Sequence, residues 1–335
     1  MATKIRWGVL GNAKIAREKV IPGMQQGEYS HVVAIASRNP EAAKPVAERL
    51  NVPTVHASYE ELLADPNVDA IYNPLPNDLH VPWSIKAAEA GKHVLCEKPV
   101  GLSAQQVEHL MTARSLYNVK IGEAFMARTH PQWLRAKAIV DAGELGELRA
   151  MTASFSYFNR DAANIRNNID AGGGALMDIG CYPVTLSRMI FGKEPKRVVS
   201  TIERDPEFKT DRLTTAILDY PQGQCIFNCS TQLAPYQTVM ILGTKARLQI
   251  EIPFNAPPDR PTRIFLDTGK SLFGDSSRTE EFPICDQYTI QGDLFSQAIL
   301  NDTQVPVPLE DSYANMKVIE ALFRSAQSNN WERID

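Results

Sequence analysis

No stretch of this 335-residue sequence approaches the ~20 consecutive apolar residues that span a bilayer, so a transmembrane helix is excluded. Residues 1–7 run almost directly into an apolar strand and leave no room for a charged region, an apolar region and a cleavage site. No signal peptide is therefore expected. No strong excess of either charge is present: 35 Lys and Arg stand against 39 Asp and Glu, a net charge of −4. That argues against a surface for polyanions, and nucleic acid is not an expected partner. Cysteine is scarce and odd in number. Cys96, Cys181, Cys225, Cys229 and Cys285 are widely spaced, and only Cys225 and Cys229 lie close together, with no other metal-ligating residue beside them. Reduced thiols, a cytoplasmic location and no structural metal are the expectations. Histidine is absent after residue 130, which bears on the chemistry below.

What is present is a balanced globular composition in a chain long enough for two domains. The first third alternates short apolar runs (5–10, 31–36, 69–73, 93–97, 119–123) with helical patterns (13–26, disturbed at Pro22; 40–50; 79–90; 103–117). Strands alternating with helices point to a doubly wound parallel sheet. After residue 125 the rhythm changes. A helix over 132–142 precedes a long alternating strand over 148–158, then a glycine-rich turn and helix over 172–191. Strand-like runs follow at 197–203, 213–220, 224–231, 238–242 and 246–251, and helices at 287–301 and 309–328 close the chain. Strands without intervening helices make a mostly antiparallel, open sheet. The expected fold is α/β, with a Rossmann domain over 1–125 and an α/β substrate-binding and dimerisation domain over 126–335.

The segment Gly8-Val9-Leu10-Gly11-Asn12-Ala13-Lys14-Ile15-Ala16 sits where the first strand turns into the first helix. A helix start offers free N–H groups to a pyrophosphate, and a glycine lets it approach the backbone. In the G-x-G-x-x-G/A register the positions are Gly11, Ala13 and Ala16, so the middle glycine is missing. Alone, the loop reads equally well as a tight turn. The second strand ends Ala36-Ser37-Arg38-Asn39, without the carboxylate that binds a ribose 2′-hydroxyl in NAD enzymes. A hydroxyl followed by a guanidinium suits a 2′-phosphate, so NADP is favoured; a solvent-facing Arg38 is the plain alternative.

Two further segments carry chemistry. Glu97-Lys98-Pro99 falls just past a strand end, where α/β folds place ligands. In Gly172-Gly173-Gly174-Ala175-Leu176-Met177-Asp178-Ile179-Gly180-Cys181-Tyr182-Pro183, Asp178 and Tyr182 stand four apart and share a helix face. A tyrosine packed in the core would give the same pattern. Arg128, Phe158 and Arg166 end segments that should face a cleft and are weaker substrate candidates; for the two arginines a surface salt bridge fits as well.

Taken in order, the Gly11 loop, Asn73-Pro74-Leu75-Pro76-Asn77-x-x-His80, Glu97-Lys98-Pro99 and the 172–182 block resemble the glucose–fructose oxidoreductase/inositol dehydrogenase/MocA family over nearly the whole chain. The 172–182 block is similar to the branch holding NADP-dependent D-xylose dehydrogenases and dimeric dihydrodiol dehydrogenases, which carry Tyr where inositol dehydrogenases carry His. The resemblance implies hydride transfer between a sugar CH–OH and nicotinamide. It implies that Gly11, Asn12, Ala13, Lys14, Ile15, Ser37, Arg38, Asn73, Pro74, Leu75, Asn77, His80, Glu97 and Lys98 bind NADP. It gives Lys98, Asp178 and Tyr182 the catalytic roles, Tyr182 as acid/base. With all six histidines before residue 131, Tyr182 is the best proton carrier left to the second domain. A free tyrosine pKa near ~10 is too high for a good base, and a neighbouring ammonium such as Lys98 would lower it. The expected partners are an aldose or polyol and a second copy of the chain, as homodimer or homotetramer. A dihydrodiol or polyol dehydrogenase, a sugar–sugar oxidoreductase holding its NADP tightly, and a non-catalytic NADP-binding regulator are the competing readings. The missing export signal weighs against the sugar–sugar reading, and the intact Lys98, Asp178 and Tyr182 against a regulator.

Overall fold

An apolar run buried on both faces belongs in the middle of a parallel sheet, and β1 (Ile5–Leu10) is such a run, with only Arg6 partly exposed. The computed structural model describes residues 3–334. Strands β2 (Ser30–Ala36), β3 (Thr54–His56), β4 (Ala70–Asn73), β5 (His93–Cys96) and β6 (Ile121–Glu123) join β1 in one sheet. The order is β3-β2-β1-β4-β5-β6, and every pairing is parallel. Strand order reverses between β1 and β4, which opens a crevice at their carboxyl ends, the usual ligand position of such sheets.

Helices α1 (Ile21–Gln25), α2 (Pro40–Arg49), α3 (Tyr59–Ala64), α4 (Asn77–Glu89) and α5 (Ala104–Leu116) link these strands. Side-chain caps start three of them: Asn39 accepts from Ala42 N–H, Ser58 from Glu61 N–H and Ser103 from Gln106 N–H. The helix expected over 13–26 is split. A π-helical turn (Ala16–Val20) precedes α1, and the Ile21 N–H reaches back to the Ala16 carbonyl. Pro22 has no N–H to continue the ordinary ladder, so the chain changes register just before it.

The second part of the chain begins with α6 (Pro131–Asp141) and β7 (Leu148–Phe158). A π-helical turn (Leu176–Gly180) leads into α7 (Cys181–Phe191), whose residues are almost all buried. Then follow β8 (Arg197–Arg204), β9 (Asp211–Tyr220), β10 (Gly223–Ser230), β11 (Gln232–Gly243), β12 (Arg247–Ile250), β13 (Thr262–Asp267) and β14 (Ser277–Phe282). Helices α8 (Gln287–Leu300) and α9 (Leu309–Ser328) and the short β15 (Glu332–Arg333) end the chain. The nine strands form one sheet in the order β14-β13-β12-β11-β7-β10-β9-β8-β15. Only the β10–β7 pairing is parallel; the others are antiparallel.

Strand β7 alternates as a strand with one covered face must: Met151, Ala153 and Phe155 are buried, while Thr152 between them is exposed. Register carries that open face across the sheet. Thr152 pairs with Ile226 and Met240, Ile226 with Ile217, and Ile217 with Val199. All four of these apolar residues are partly or fully exposed.

By contacts, one compact unit runs to Met126 and takes in Asp286–Tyr313, and the other comprises Ala127–Cys285 and the chain from Ala314 onward. A single cut after residue 125 does not describe this, because α8 returns to the first unit. The buried Trp7 indole N–H donates to Ser296 Oγ at 3.0 Å, and Phe295 packs on the same ring at 5.5 Å between centroids. Asp293 accepts from the backbone N–H groups of Glu28 and Tyr29. Among the described residues no helix is long and apolar enough to cross a membrane, and no cluster of three or more metal-ligating side chains occurs.

Candidate active site

In the first unit, Gly11 follows β1 with φ +80°, a left-handed conformation that favours glycine. A side chain there would also be crowded: its Cβ would stand 3.1 Å from Leu75 Cδ2 and 3.4 Å from Tyr59 Oη. The Gly11 N–H is held by the Ala36 carbonyl at 2.7 Å, which ties the loop to the end of β2. Asn12 donates to the Ala42 carbonyl, while its buried Oδ1 has no partner among the described residues. Ala13 and Ile15 are partly exposed and Lys14 fully so. At the end of β2, Ser37 is 7% exposed and accepts from Asn39 N–H at 3.1 Å, and Arg38 stands exposed beside it. A left-handed glycine turn and an adjacent hydroxyl–guanidinium pair fit a phosphorylated dinucleotide lying along these strand ends, and the orphaned Asn12 oxygen fits a donor such as a ribose hydroxyl.

Beyond β4, Asn73 is fully buried and stitches the loop together. Its Nδ2 donates to the His80 carbonyl and to Ser84 Oγ, its Oδ1 accepts from Leu75 N–H, and its carbonyl accepts from Glu97 N–H. Pro74 and Leu75 are buried, and Asn77 opens α4 partly exposed. His80 is 1% exposed, with Nδ1 2.8 Å from the Pro99 carbonyl and Nε2 2.7 Å from the Leu75 carbonyl. Burial pushes its pKa down to about 4, while the two carbonyls, one at each ring nitrogen, pull the other way by favouring N–H on both. Whatever His80 does for a cofactor passes through the two segments it braces. Glu97 accepts the Tyr72 hydroxyl at 2.7 Å, and Lys98 follows, partly exposed, ahead of a cis bond to Pro99.

In the second unit, the glycine run packs too tightly for side chains. A Cβ on Gly173 would lie 2.5 Å from the Arg166 carbonyl oxygen, and one on Gly174 would lie 1.9 Å from Asp211 Oδ1. Asp211, 1% exposed, accepts the Leu176 N–H at 2.6 Å and the Thr214 hydroxyl at 3.2 Å. Burial raises its carboxyl to about 6 in spite of those bonds. The π-helical turn and α7 are thereby fixed at their start.

That element presents Asp178 and Tyr182. Asp178 Oδ2 accepts the Tyr157 hydroxyl at 2.5 Å and Arg166 Nε at 2.9 Å. Burial, then the Asp178 charge, pushes the Tyr157 hydroxyl far up, so it remains a donor. Tyr182 is 3% exposed, its ring edge-on to Phe155 at 5.7 Å and tilted against Phe254 at 5.6 Å. Gln237 holds Phe254 in place by accepting from the backbone N–H groups of Phe254 and Asn255. Arg128 donates to Thr185 Oγ1 on α7 at 3.1 Å, and Phe158 is 65% exposed at the end of β7. Arg166 makes a salt bridge, as one of its two readings had it, and the carboxylate it meets is the mostly buried Asp178.

The second domain is not, as the sequence led one to expect, empty of histidine: His130 belongs to the second unit. It serves as a helix cap: Nδ1 accepts from Gln132 N–H, Nε2 faces Cys285 Sγ at 3.4 Å, and burial lowers its pKa to about 4. Neither Tyr157, one more aromatic in an alternating strand, nor Asp211, 33 residues beyond Asp178, stands out in the sequence.

A family model described as "Oxidoreductase family, NAD-binding Rossmann fold" matches residues 5–125, and one described as "GFO/IDH/MocA C-terminal domain" matches residues 133–249. An uncharacterized oxidoreductase of Rhizobium meliloti is 45% identical over 331 residues, covering 98% of this chain and 99% of its own. An NADP-dependent D-xylose 1-dehydrogenase of Haloferax volcanii is 35% identical over 98% of this chain and 99% of its own. A tyrosine-to-phenylalanine variant of a 3-ketoreductase from Actinomadura kijaniata, solved with TDP-benzene and NADP, superposes with TM-score 0.89 at 29% identity. It covers 96% of this chain and 98% of that one.

Proposed function

The chain belongs to the Gfo/Idh/MocA family of oxidoreductases, and from that premise we propose that it transfers hydride between the CH–OH group of an aldose and NADP, with Tyr182 as acid/base and Lys98 assisting. NADP, when bound, supplies the hydride acceptor at its nicotinamide ring. In the oxidative direction the sugar hydroxyl gives its proton to the ionised Tyr182 oxygen as its carbon loses hydride. The Lys98 ammonium stabilises negative charge on the oxygens that exchange this proton. Asp178, held on one oxygen by Tyr157 and Arg166, accepts a neighbouring substrate hydroxyl.

The observation that carries this reading is the setting of Tyr182. It is a buried tyrosine fixed between two aromatic rings, four residues along one helical segment from an ion-paired carboxylate. A plain core tyrosine needs no such carboxylate. The 35% identity to an NADP-dependent D-xylose dehydrogenase supports the choice of an aldose, and Ser37 with Arg38 supports NADP. The test is a screen of NADP⁺ reduction over aldoses, polyols and dihydrodiols. Turnover with aldoses is expected; turnover confined to dihydrodiols moves the substrate class, and none at all with measurable NADP binding favours a regulator.

The open face of the nine-stranded sheet supports self-association. Ile226, at 42% exposure, lies in register with Ile217, Val199 and Met240, and an apolar row of this kind favours cover. A dimer or tetramer is expected by light scattering. Monomer mass at micromolar concentration would contradict it.

A further inference from the structure

We propose that the Tyr59 hydroxyl donates a hydrogen bond to the pyrophosphate of the bound dinucleotide, at the turn after β1. Tyr59 opens α3, a helix whose start is fixed by the Ser58 cap. Its ring is 7% exposed and packs edge-on against Trp83, 4.8 Å between centroids and 88° between planes. The hydroxyl is thereby aimed at a fixed place, 3.4 Å from where a Gly11 side chain would begin. The Tyr59 oxygen and Leu75 thus close in on the Gly11 backbone from two sides, so the hydroxyl stands at the turn itself.

No group of the described residues hydrogen-bonds to this hydroxyl, although the ring beneath it is buried. An O–H at the rim of a buried ring ordinarily finds an acceptor. A phosphate oxygen beside Gly11 would be such an acceptor for Tyr59, and its charge strengthens the bond. Because ring packing already fixes the donor, little side-chain freedom is lost on binding. The motif register of the loop does not point to Tyr59, which lies 48 residues beyond Gly11 in sequence.

The inference rests on the reading of the Gly11 turn as the pyrophosphate site. Titration calorimetry on the full chain, with NADP⁺ and with adenosine 2′-monophosphate as probes, tests both. The second probe carries the 2′-phosphate but no pyrophosphate. Tyr59→Phe keeps the ring and its packing on Trp83. It should weaken NADP⁺ about tenfold, as for the loss of one hydrogen bond to a charged group, and leave the 2′-monophosphate unchanged. An unchanged NADP⁺ affinity overturns the proposal. Equal weakening of both probes also overturns it, since the hydroxyl would then shape the site rather than hold the pyrophosphate. Gly11→Val separates the two levels. If it weakens NADP⁺ while Tyr59→Phe does not, only the Tyr59 assignment fails; if it leaves NADP⁺ binding intact, the site reading and the Tyr59 assignment fail together.

Discussion

Replacing Asp211 by Asn removes a titrating group from beneath the helix that carries Tyr182 while keeping an oxygen to accept the Leu176 N–H. Burial raises the Asp211 carboxyl from 3.8 to about 6, outweighing the Leu176 and Thr214 hydrogen bonds and the attraction of Arg204. Between those two values the folded chain binds more protons at this site than the unfolded chain does. Stability therefore falls as pH rises through the window, and the penalty is complete above it. About two pKa units correspond to about 3 kcal/mol in all. Between about pH 4.5 and about pH 7.5 the part expressed is about 2 kcal/mol. Asn at 211 has no such dependence, so the stability of the variant relative to the parent should improve by that amount across the interval. The comparison cancels the pH effects of every other group. Urea unfolding of both proteins at several pH values reads it. A constant gap between the two curves would refute the claim that Asp211 is ionised at a cost.

Three other outcomes follow from the same contacts. Gly174→Ala places a methyl 1.9 Å from Asp211 Oδ1 at φ +119° and should destabilise the chain by about 2–4 kcal/mol; an unchanged thermal midpoint would show that the run is loosely packed. Ser37→Asp should shift cofactor preference towards NAD by repelling a 2′-phosphate, and an unchanged NADP/NAD affinity ratio would remove the end of β2 from cofactor choice. Ser296→Ala leaves the buried Trp7 indole N–H without its acceptor and should cost about 1–3 kcal/mol, measured by denaturant unfolding; a neutral change would mean that the tie between α8 and β1 adds nothing.

The first six-stranded sheet was legible because its strands are short apolar runs separated by helices of strong pattern. Only β3 and α3 escaped, a three-residue half-buried strand and a six-residue helix, both too short to establish a period. In the second sheet, β7 to β12 announced themselves by alternation. Strands β13, β14 and β15 did not: β15 has only two residues, and the Ser-Arg-Thr-Glu-Glu-Phe of β14 lies at the sheet edge with no residue fully buried. The return of α8 to the first unit depends on Trp7 meeting Ser296 across 289 residues, and no local pattern carries that. At the site, the Asp178/Tyr182 spacing was visible. Tyr157 and Asp211 were not, since each acts through a contact made only by the folded chain. The histidine count misled because His130 lies just past the first unit and is occupied as a cap.

The most direct measurement is the rate of NADPH formation with the best aldose for the parent chain and for Tyr182→Phe, alongside NADP affinity for both. Loss of about 10²–10⁴ in turnover with NADP binding retained is the predicted result for a tyrosine that carries the proton. Near-normal turnover in the variant would contradict the assignment and with it the proposed mechanism.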